Sequence, residues 1–332
     1  MKQKNICVIE DIYNVQLIND FLDQYFQDFD AKYTFDKISF NGYYFNDCEK
    51  NITFEKLHGD IILIIQSLQI FCLEVFLLKV QRALSTGKKI IIVITYLCYL
   101  RQGKDLKEKL GEMILKSLLN YENIIKIFVI DPHIKLNLNS EKYEEITSYD
   151  LFFDAIERNV YTLEDCCILS PDKMSAKKNK LIANEFKIDN IIFDKKRDKY
   201  GKLKSSEIKN YKYHRYAIVV DDILDTGNTI LNAINIYTEM NKQNKLNTSF
   251  IVYCTHGVLS TINENLINNK NIMSINVTSS YINPIMQEKY KNMKSFTDFM
   301  ELCTYNTICE NIKVFDISHT IYNFVKKALD NS

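Results

Sequence analysis

The sequence predicts an α/β protein built from two doubly wound units with mainly parallel sheets. Short apolar, β-branched runs alternate with stretches of helical period along the whole chain. The two halves repeat that alternation in a similar way. The third observation is length, since 332 residues suffice for two domains of ordinary size, each with its own core.

In the first half, strands are expected at 6–9, 61–65, 90–95 and 125–130, with helices at 15–26, 71–84 and 107–119. In the second half, strands are expected at 166–169, 190–193, 216–220, 250–254, 272–277 and 314–316, and helices at 176–186, 229–240, 261–267 and 320–329. The polar stretch 139–155 is the natural boundary, giving domains of 1–150 and 151–332 with no low-complexity linker between them.

Composition narrows the class of partner. With 46% hydrophobic and 25% charged residues the chain should fold throughout. Lys plus Arg and Asp plus Glu both total 42, so no global field favours nucleic acid or an anionic membrane. Any anion site must be local. Nine Cys are scattered without a C-x-x-C or paired Cys/His spacing, which indicates neither a zinc site nor a disulfide framework. The opening Met1-Lys2-Gln3-Lys4-Asn5 leads straight into a strand-like run and is no signal peptide. Residues 61–80 have the length of a membrane span, but Gln66, Ser67, Gln69, Glu74 and Lys79 interrupt them. A buried strand followed by a buried helix is expected there, in a soluble, cytoplasmic protein.

The stretch 216–235 carries the most chemistry. An apolar run to Val220 is expected to end in Asp221 and Asp222, followed by Asp225-Thr226-Gly227-Asn228-Thr229 and a helical pattern. At such a strand–loop–helix junction, backbone N–H groups and the positive helix end face one point, with two Thr hydroxyls as further donors and Gly227 allowing close approach. That is a cradle for a phosphate dianion. Carboxylates beside it can accept hydrogen bonds from sugar hydroxyls or sit near a metal, so a sugar 5-phosphate satisfies both halves.

Other strand ends carry weaker signals. Arg101 and Gln102 place a cation and an amide donor where a phosphate or nucleotide fits. His133 follows Asp131-Pro132 at another strand end and can meet a metal or a phosphate oxygen. Ser170-Pro171-Asp172 reads as a turn and helix cap. Past 190–193, the chain opens onto Lys195, Lys196, Arg197, Lys199, Lys202 and Lys204.

Val219-Val220-Asp221-Asp222-Ile223-Leu224-Asp225-Thr226-Gly227-Asn228-Thr229 resembles the phosphoribosyl-diphosphate loop of type I phosphoribosyltransferases and of ribose-phosphate diphosphokinases, with Asn228 where the diphosphokinases more often have Gly. The segment at Arg101 and Gln102 resembles the diphosphokinase Y-F-G-Y-A-R-Q motif, whose Arg and Gln contact ATP. His133 matches a D-L-H segment whose His binds magnesium. Asp172 matches the V-S-P-D-x-G-G diphosphate loop, with Met174 and Ser175 in place of its glycines. Lys195 and Arg197 match the D-K-R-R strand end whose side chains stabilise the transferring group. The stretch 250–260, with Thr255-His256-Gly257-Val258-Leu259-Ser260, resembles the A-T-H-G-hydrophobic-hydrophobic-S strand and turn, where His256 is expected to be structural or near the phosphate pocket. Ser39-Phe40-Asn41-Gly42-Tyr43 corresponds to the F-S-D-G-E adenine turn, with Asn41 and Tyr43 in place of Asp and Glu.

The resemblance spans roughly residues 6–329 and implies two domains of the type I phosphoribosyltransferase kind. It implies a ribose-phosphate diphosphokinase: Asp221, Asp222 and residues 225–229 on ribose 5-phosphate, Asn41, Gly42, Tyr43, Arg101 and Gln102 on ATP, His133 and Asp172 on Mg2+, and Lys195 and Arg197 as catalysts. It further implies a homo-oligomer, dimer or hexamer. Two alternatives stay open, a non-catalytic regulatory homologue and a phosphoribosyltransferase.

Overall fold

A computed structural model describes residues 4–9, 33–38, 40–44, 46, 50–54, 57, 59–68, 72–102, 106–159, 163–197, 203–209, 211–261, 263–281 and 312–331. The helix expected at 15–26, together with Ser39, Lys199 and Lys202, lies outside the described residues. In chain order the first elements are β1 (Lys4–Ile9), β2 (Tyr33–Ile38), β3 (Phe40–Tyr44), β4 (Lys50–Phe54), β5 (Ile61–Leu68), α1 (Leu73–Leu84), β6 (Lys89–Leu97), α2 (Leu110–Leu119), β7 (Ile124–Ile130) and β8 (Tyr143–Ile146). They continue with α3 (Ser148–Asn159), β9 (Cys166–Ser170), α4 (Lys173–Phe186), β10 (Asp189–Arg197), β11 (Leu203–Lys209), β12 (Tyr216–Leu224) and α5 (Asn228–Gln243). The last are β13 (Ser249–Gly257), α6 (Glu264–Ile267), β14 (Ile272–Thr278), β15 (Ile312–Phe315) and α7 (Ser318–Asp330).

The chain forms two compact units, Met1–Ile146 with Asp316–Ser332, and Thr147–Phe315. The first holds a six-stranded sheet in the order β2-β1-β5-β6-β7-β8, every pair parallel. The second holds a seven-stranded sheet, β11-β10-β9-β12-β13-β14-β15, parallel except for the β10–β11 hairpin at one edge. Every residue of β5 and of β9 is buried, as continuous apolar strands in parallel sheets covered on both faces should be.

Each core has a plain origin in sequence period. In the first unit, Ile62, Ile64, Ile90, Ile92 and Ile94 pack with Phe76 and Val80 of α1 and Leu115 of α2. In the second, Leu169, Val219 and Val252 pack with Ile230, Ile234 and Tyr237, one stripe of α5. The stretch 61–80 is indeed strand then helix, with Lys79 fully buried and its Nζ donating to Gln66 Oε1 at 2.6 Å. No helix among the described residues is long and apolar enough to cross a membrane. The six described Cys are buried and form no disulfide among the described residues. Burial pushes the thiols of Cys98 and Cys167 up to about 12 and that of Cys166 up to about 11, so these three are packing groups rather than nucleophiles.

The structure corrects the domain division at its end. Residues 316–332 join the first unit rather than the second. The apolar stripe of α7, Ile321, Tyr322, Val325 and Leu329, is buried, and Phe324 meets Phe128 of β7 edge-on at 5.8 Å. A second correction concerns β12, which continues to Leu224 instead of stopping at Val220. Its neighbour β9 ends its pairing at Val219, but the ladder to β13 runs on through Asp221, Ile223 and Leu224.

Candidate functional site

In the second unit the strand order places a topological switch between β9 and β12. From β9 the chain moves outward to β10 and β11, then returns to β9's other side as β12 and proceeds the opposite way. In open parallel sheets, the crevice beyond the carboxyl ends of two such strands is where ligands bind. Here the crevice lies between the loop after β9, which contains Asp172, and the loop after β12, residues 225–227.

The loop after β12 is short and firmly built. Gly227 takes the left-handed conformation, φ 74°, as the N-cap of α5. A Cβ there would collide with a δ carbon of Leu266 in α6 and also meet Leu224. This glycine is therefore required by its positive φ and by helix packing, reasons other than the ligand approach expected from sequence. The first backbone bond of α5 runs from Leu231 N–H to the Gly227 carbonyl at 2.9 Å. The amides of 228–230 thus stand outside the i→i−4 ladder at a positive helix end; Asn228 N–H makes a long contact, 3.4 Å, to Thr226 Oγ1.

Asp221 and Asp222 belong to β12, not to the loop. Strand alternation sends their side chains to opposite faces of the sheet, so they do not form the side-by-side pair expected from sequence. Both are half-buried, and Asp222 N–H donates to Asp221 Oδ1 at 3.2 Å. Asp225 lies in the loop itself, its Oδ1 accepting from the Ser260 hydroxyl and from Ser260 N–H at 3.3 Å.

Across the crevice, Asp172 caps α4. Its Oδ1 accepts from Met174 N–H at 2.9 Å and Ser175 N–H at 3.0 Å, while its own N–H donates to Ser175 Oγ at 3.1 Å, a closed capping box. Two amides of this helix end therefore already face an internal carboxylate. Met174 points outward, 44% exposed. The crevice floor is laced by buried polar groups. Asn179 Nδ2 donates to the Val220 carbonyl at 2.9 Å and to Ser170 Oγ at 3.1 Å, tying the ends of β12 and β9 to α4. Ser170 donates onward to Asn190 Oδ1 at 2.7 Å, and Asn190 to the Ala176 carbonyl. His256 is buried, its Nδ1 2.8 Å from Ser280 Oγ, in keeping with a structural role.

Lys195 and Arg197 lie on β10, opposite Ser206 and Leu203 of β11, with a register irregularity between Lys196 and Arg197. The described backbone here is a paired hairpin.

In the first unit, Arg101 and Gln102 follow β6 and His133 follows the adjacent β7, so all three come from neighbouring carboxyl ends of one sheet. Arg101 is exposed and His133 half-buried. Gln102 Oε1 accepts from Leu110 N–H at 3.0 Å and its carbonyl from Lys109 Nζ at 2.9 Å, so this residue also starts α2. Non-glycine residues with positive φ mark both ends, Tyr99 at 60° and Asp131 at 36°. Asn41, Gly42 and Tyr43 lie within β3, paired with β4, where a turn was expected; Asn41 is exposed. His133 belongs to the first unit and Asp172 to the second, and the described residues hold no group of three His, Cys, Asp or Glu side chains able to bind a metal.

Sequence reasoning missed Asn179, Asn190 and Asn263, and it named Ser170 and Ser260 only as parts of turns, without the hydrogen bonds they make here. Asn179 did leave a trace, a polar residue on the stripe of α4 that also buries Ala176, Ile182 and Ala183.

No family model matches the chain. Curated proteins named ribose-phosphate pyrophosphokinase do align with it. The one from Aquifex aeolicus is 25% identical over 214 residues, 63% of this chain and 66% of the relative. That from Mycoplasmopsis pulmonis is 29% identical over 230 residues, 67% and 68% of the two chains. That from Bacillus cereus is 28% identical over 251 residues, 72% and 76%. The matched stretch thus spans about two thirds to three quarters of these relatives' length. Among solved structures, a phosphoribosylpyrophosphate synthetase from Mycobacterium smegmatis superposes with a TM-score of 0.72 at 18% identity, covering 99% of this chain and 100% of that one. The expected two-domain α/β fold is borne out.

Proposed function

Since the chain is a divergent member of the ribose-phosphate pyrophosphokinase family, we propose that it transfers the diphosphoryl group of ATP to the 1-hydroxyl of ribose 5-phosphate, releasing AMP. The observation that carries this reading is the switch-point crevice, where a left-handed Gly227 opens a helix beside a loop bearing Thr226 and Thr229. The 5-phosphate sits on the amides and hydroxyls of Asp225, Thr226, Gly227, Asn228 and Thr229. Asp221 accepts hydrogen bonds from the ribose ring hydroxyls, and Asp222, on the other face of the sheet, does not share that contact.

ATP is met by Arg101 and Gln102, with Asn41, Gly42 and Tyr43 on the adenine side. The 1-hydroxyl oxygen attacks the β-phosphorus, the bond to the α,β-bridging oxygen breaks, and AMP leaves with that oxygen. The proton of the 1-hydroxyl passes to solvent. Lys195 and Arg197 neutralise charge on the transferring group, so rate comes from positioning and electrostatics. Asp172 and His133 would be the protein donors to Mg2+, which usually keeps several waters and takes one or two protein donors beside phosphate oxygens, and the ion would neutralise charge on the phosphates. The reading carries with it a cytoplasmic homo-oligomer, dimer or hexamer.

A second reading, a non-catalytic phosphosugar-binding homologue, is favoured by the closed capping box at Asp172 and Ser175. The discriminating experiment incubates folded protein with ribose 5-phosphate, ATP, Mg2+ and inorganic phosphate and measures AMP. AMP formation dependent on ribose 5-phosphate and abolished in Lys195→Ala supports the synthetase. Ribose 5-phosphate binding without AMP supports the homologue. Consumption of phosphoribosyl diphosphate only with an added nucleobase sinks both.

A further inference from the structure

The loop of residues 225–229 does not stand alone. The segment after β13 fastens it at three positions, Asp225, Thr226 and Asn228, and also holds Leu224 at the end of β12. Leu259 N–H donates to the Leu224 carbonyl at 3.0 Å. Ser260 N–H and hydroxyl both donate to Asp225 Oδ1. Asn263 N–H donates to the Thr226 carbonyl at 3.0 Å, and Asn263 Nδ2 to Asn228 Oδ1 at 2.7 Å. Leu259 takes φ 47° to make the turn, a conformation that a branched side chain rarely adopts.

Asn263 is committed in both directions. While its amide nitrogen reaches Asn228, its Oδ1 accepts from Asn265 N–H at 2.9 Å and caps α6. Leu266 of α6 then packs where a Cβ of Gly227 would be. Loop, turn and short helix are thereby one cross-linked body. A loop ordered before its ligand arrives loses less conformational freedom on binding. The two donors from Ser260 also draw on the negative charge of Asp225, the acidic group within the loop that would otherwise repel an incoming anion.

We propose that Ser260 and Asn263 are positioning residues that hold the 225–229 loop in its anion-binding form and set the affinity of this chain for the terminal phosphate of a pentose phosphate. The proposal rests on the reading of that loop as the ribose 5-phosphate site, and its test separates the two.

The variants are Ser260→Ala and Asn263→Ser. Serine retains an N-cap for α6 but is too short to reach Asn228. Three quantities are read on the full chain: backbone NMR order parameters of residues 225–229 without ligand, dissociation constants for ribose 5-phosphate and ATP, and the thermal midpoint. In the parent protein, the loop should show order parameters near about 0.85, falling below about 0.6 in the variants. The dissociation constant for ribose 5-phosphate should rise at least tenfold, that for ATP should stay within twofold, and the thermal midpoint should move little. A loop equally rigid in the variants overturns the proposal, as does an equal loss of affinity for ATP and ribose 5-phosphate. If the parent binds neither ribose 5-phosphate nor inorganic phosphate, the functional reading falls. The order parameters of the unliganded proteins still decide whether Ser260 and Asn263 hold the loop.

Discussion

Gly227 is the position where one methyl group should cost most. With φ at 74°, any other L-residue takes up the left-handed conformation, at roughly 1–2 kcal/mol. An added Cβ also overlaps a δ carbon of Leu266, fully buried in α6, so one of the two must shift, at about 1–3 kcal/mol for overpacking of this kind. Gly227→Ala should therefore lose about 2–5 kcal/mol, a large share of the ~5–15 kcal/mol typical of a domain. The chain has no Trp, so unfolding in urea is best followed by far-UV circular dichroism, taking the transition that second-unit substitutions move. The two contributions separate in a Leu266→Val background, which lacks δ carbons; there Gly227→Ala should cost only the conformational part, roughly 1–2 kcal/mol. A loss under about 0.5 kcal/mol in the parent would refute the packing account, given the usual scatter of surface changes. An unchanged loss in the Leu266→Val background would leave the strain and remove the clash.

Three further outcomes follow from other parts of the same unit. Asn179→Leu should destabilise it by about 1–3 kcal/mol, because the Val220 carbonyl and Ser170 hydroxyl lose their donor in a buried setting; a neutral effect in urea would mean water replaces it. Ser175→Gly should cost about 1–2 kcal/mol by opening the capping box and placing glycine in the first turn of α4. The Met174 and Ser175 N–H groups keep their bonds to Asp172 Oδ1, because neither uses the hydroxyl, so half-saturation by Mg-ATP should stay within about twofold; a several-fold change would show that the Ser175 hydroxyl itself meets or blocks the nucleotide. His214 is buried, 3.0 Å from Asp189 and near Lys212, and burial holds its pKa below the ordinary 6.5. The unfolded chain then binds the extra proton first, so stability should fall as pH drops through about 6.5. His214→Gln should flatten that slope in urea titrations across pH 5 to about 8, and an unchanged slope would assign it to other groups.

Much of the fold was legible because its strands are long apolar runs, and 61–65, 90–95 and 216–220 could hardly be anything else. The loop at 225–229 was legible for a related reason, since its chemistry is written in consecutive residues. What escaped was non-local or masked by polarity. The sheet carries β12 past Asp221 and Asp222 through its ladder to β13, although two acids read as a strand end. Helix α3 sits in a stretch taken for a boundary, yet it opens with Thr147 and Asp150 capping each other, Thr147 N–H to Asp150 Oδ2 at 2.7 Å, and that spacing was visible. The missed residues at the site differ from these. Ser260 and Asn263 act on partners 35 positions earlier; Ser260 closes the segment that resembles the A-T-H-G-hydrophobic-hydrophobic-S turn, but nothing local names its partner, and nothing beside Asn263 hints at a role. A loop of amides can be recognised from its own residues, but how stiffly it is held depends on what the chain brings against it later. That stiffness, more than the presence of the donors, decides how much of their hydrogen-bonding energy survives as affinity.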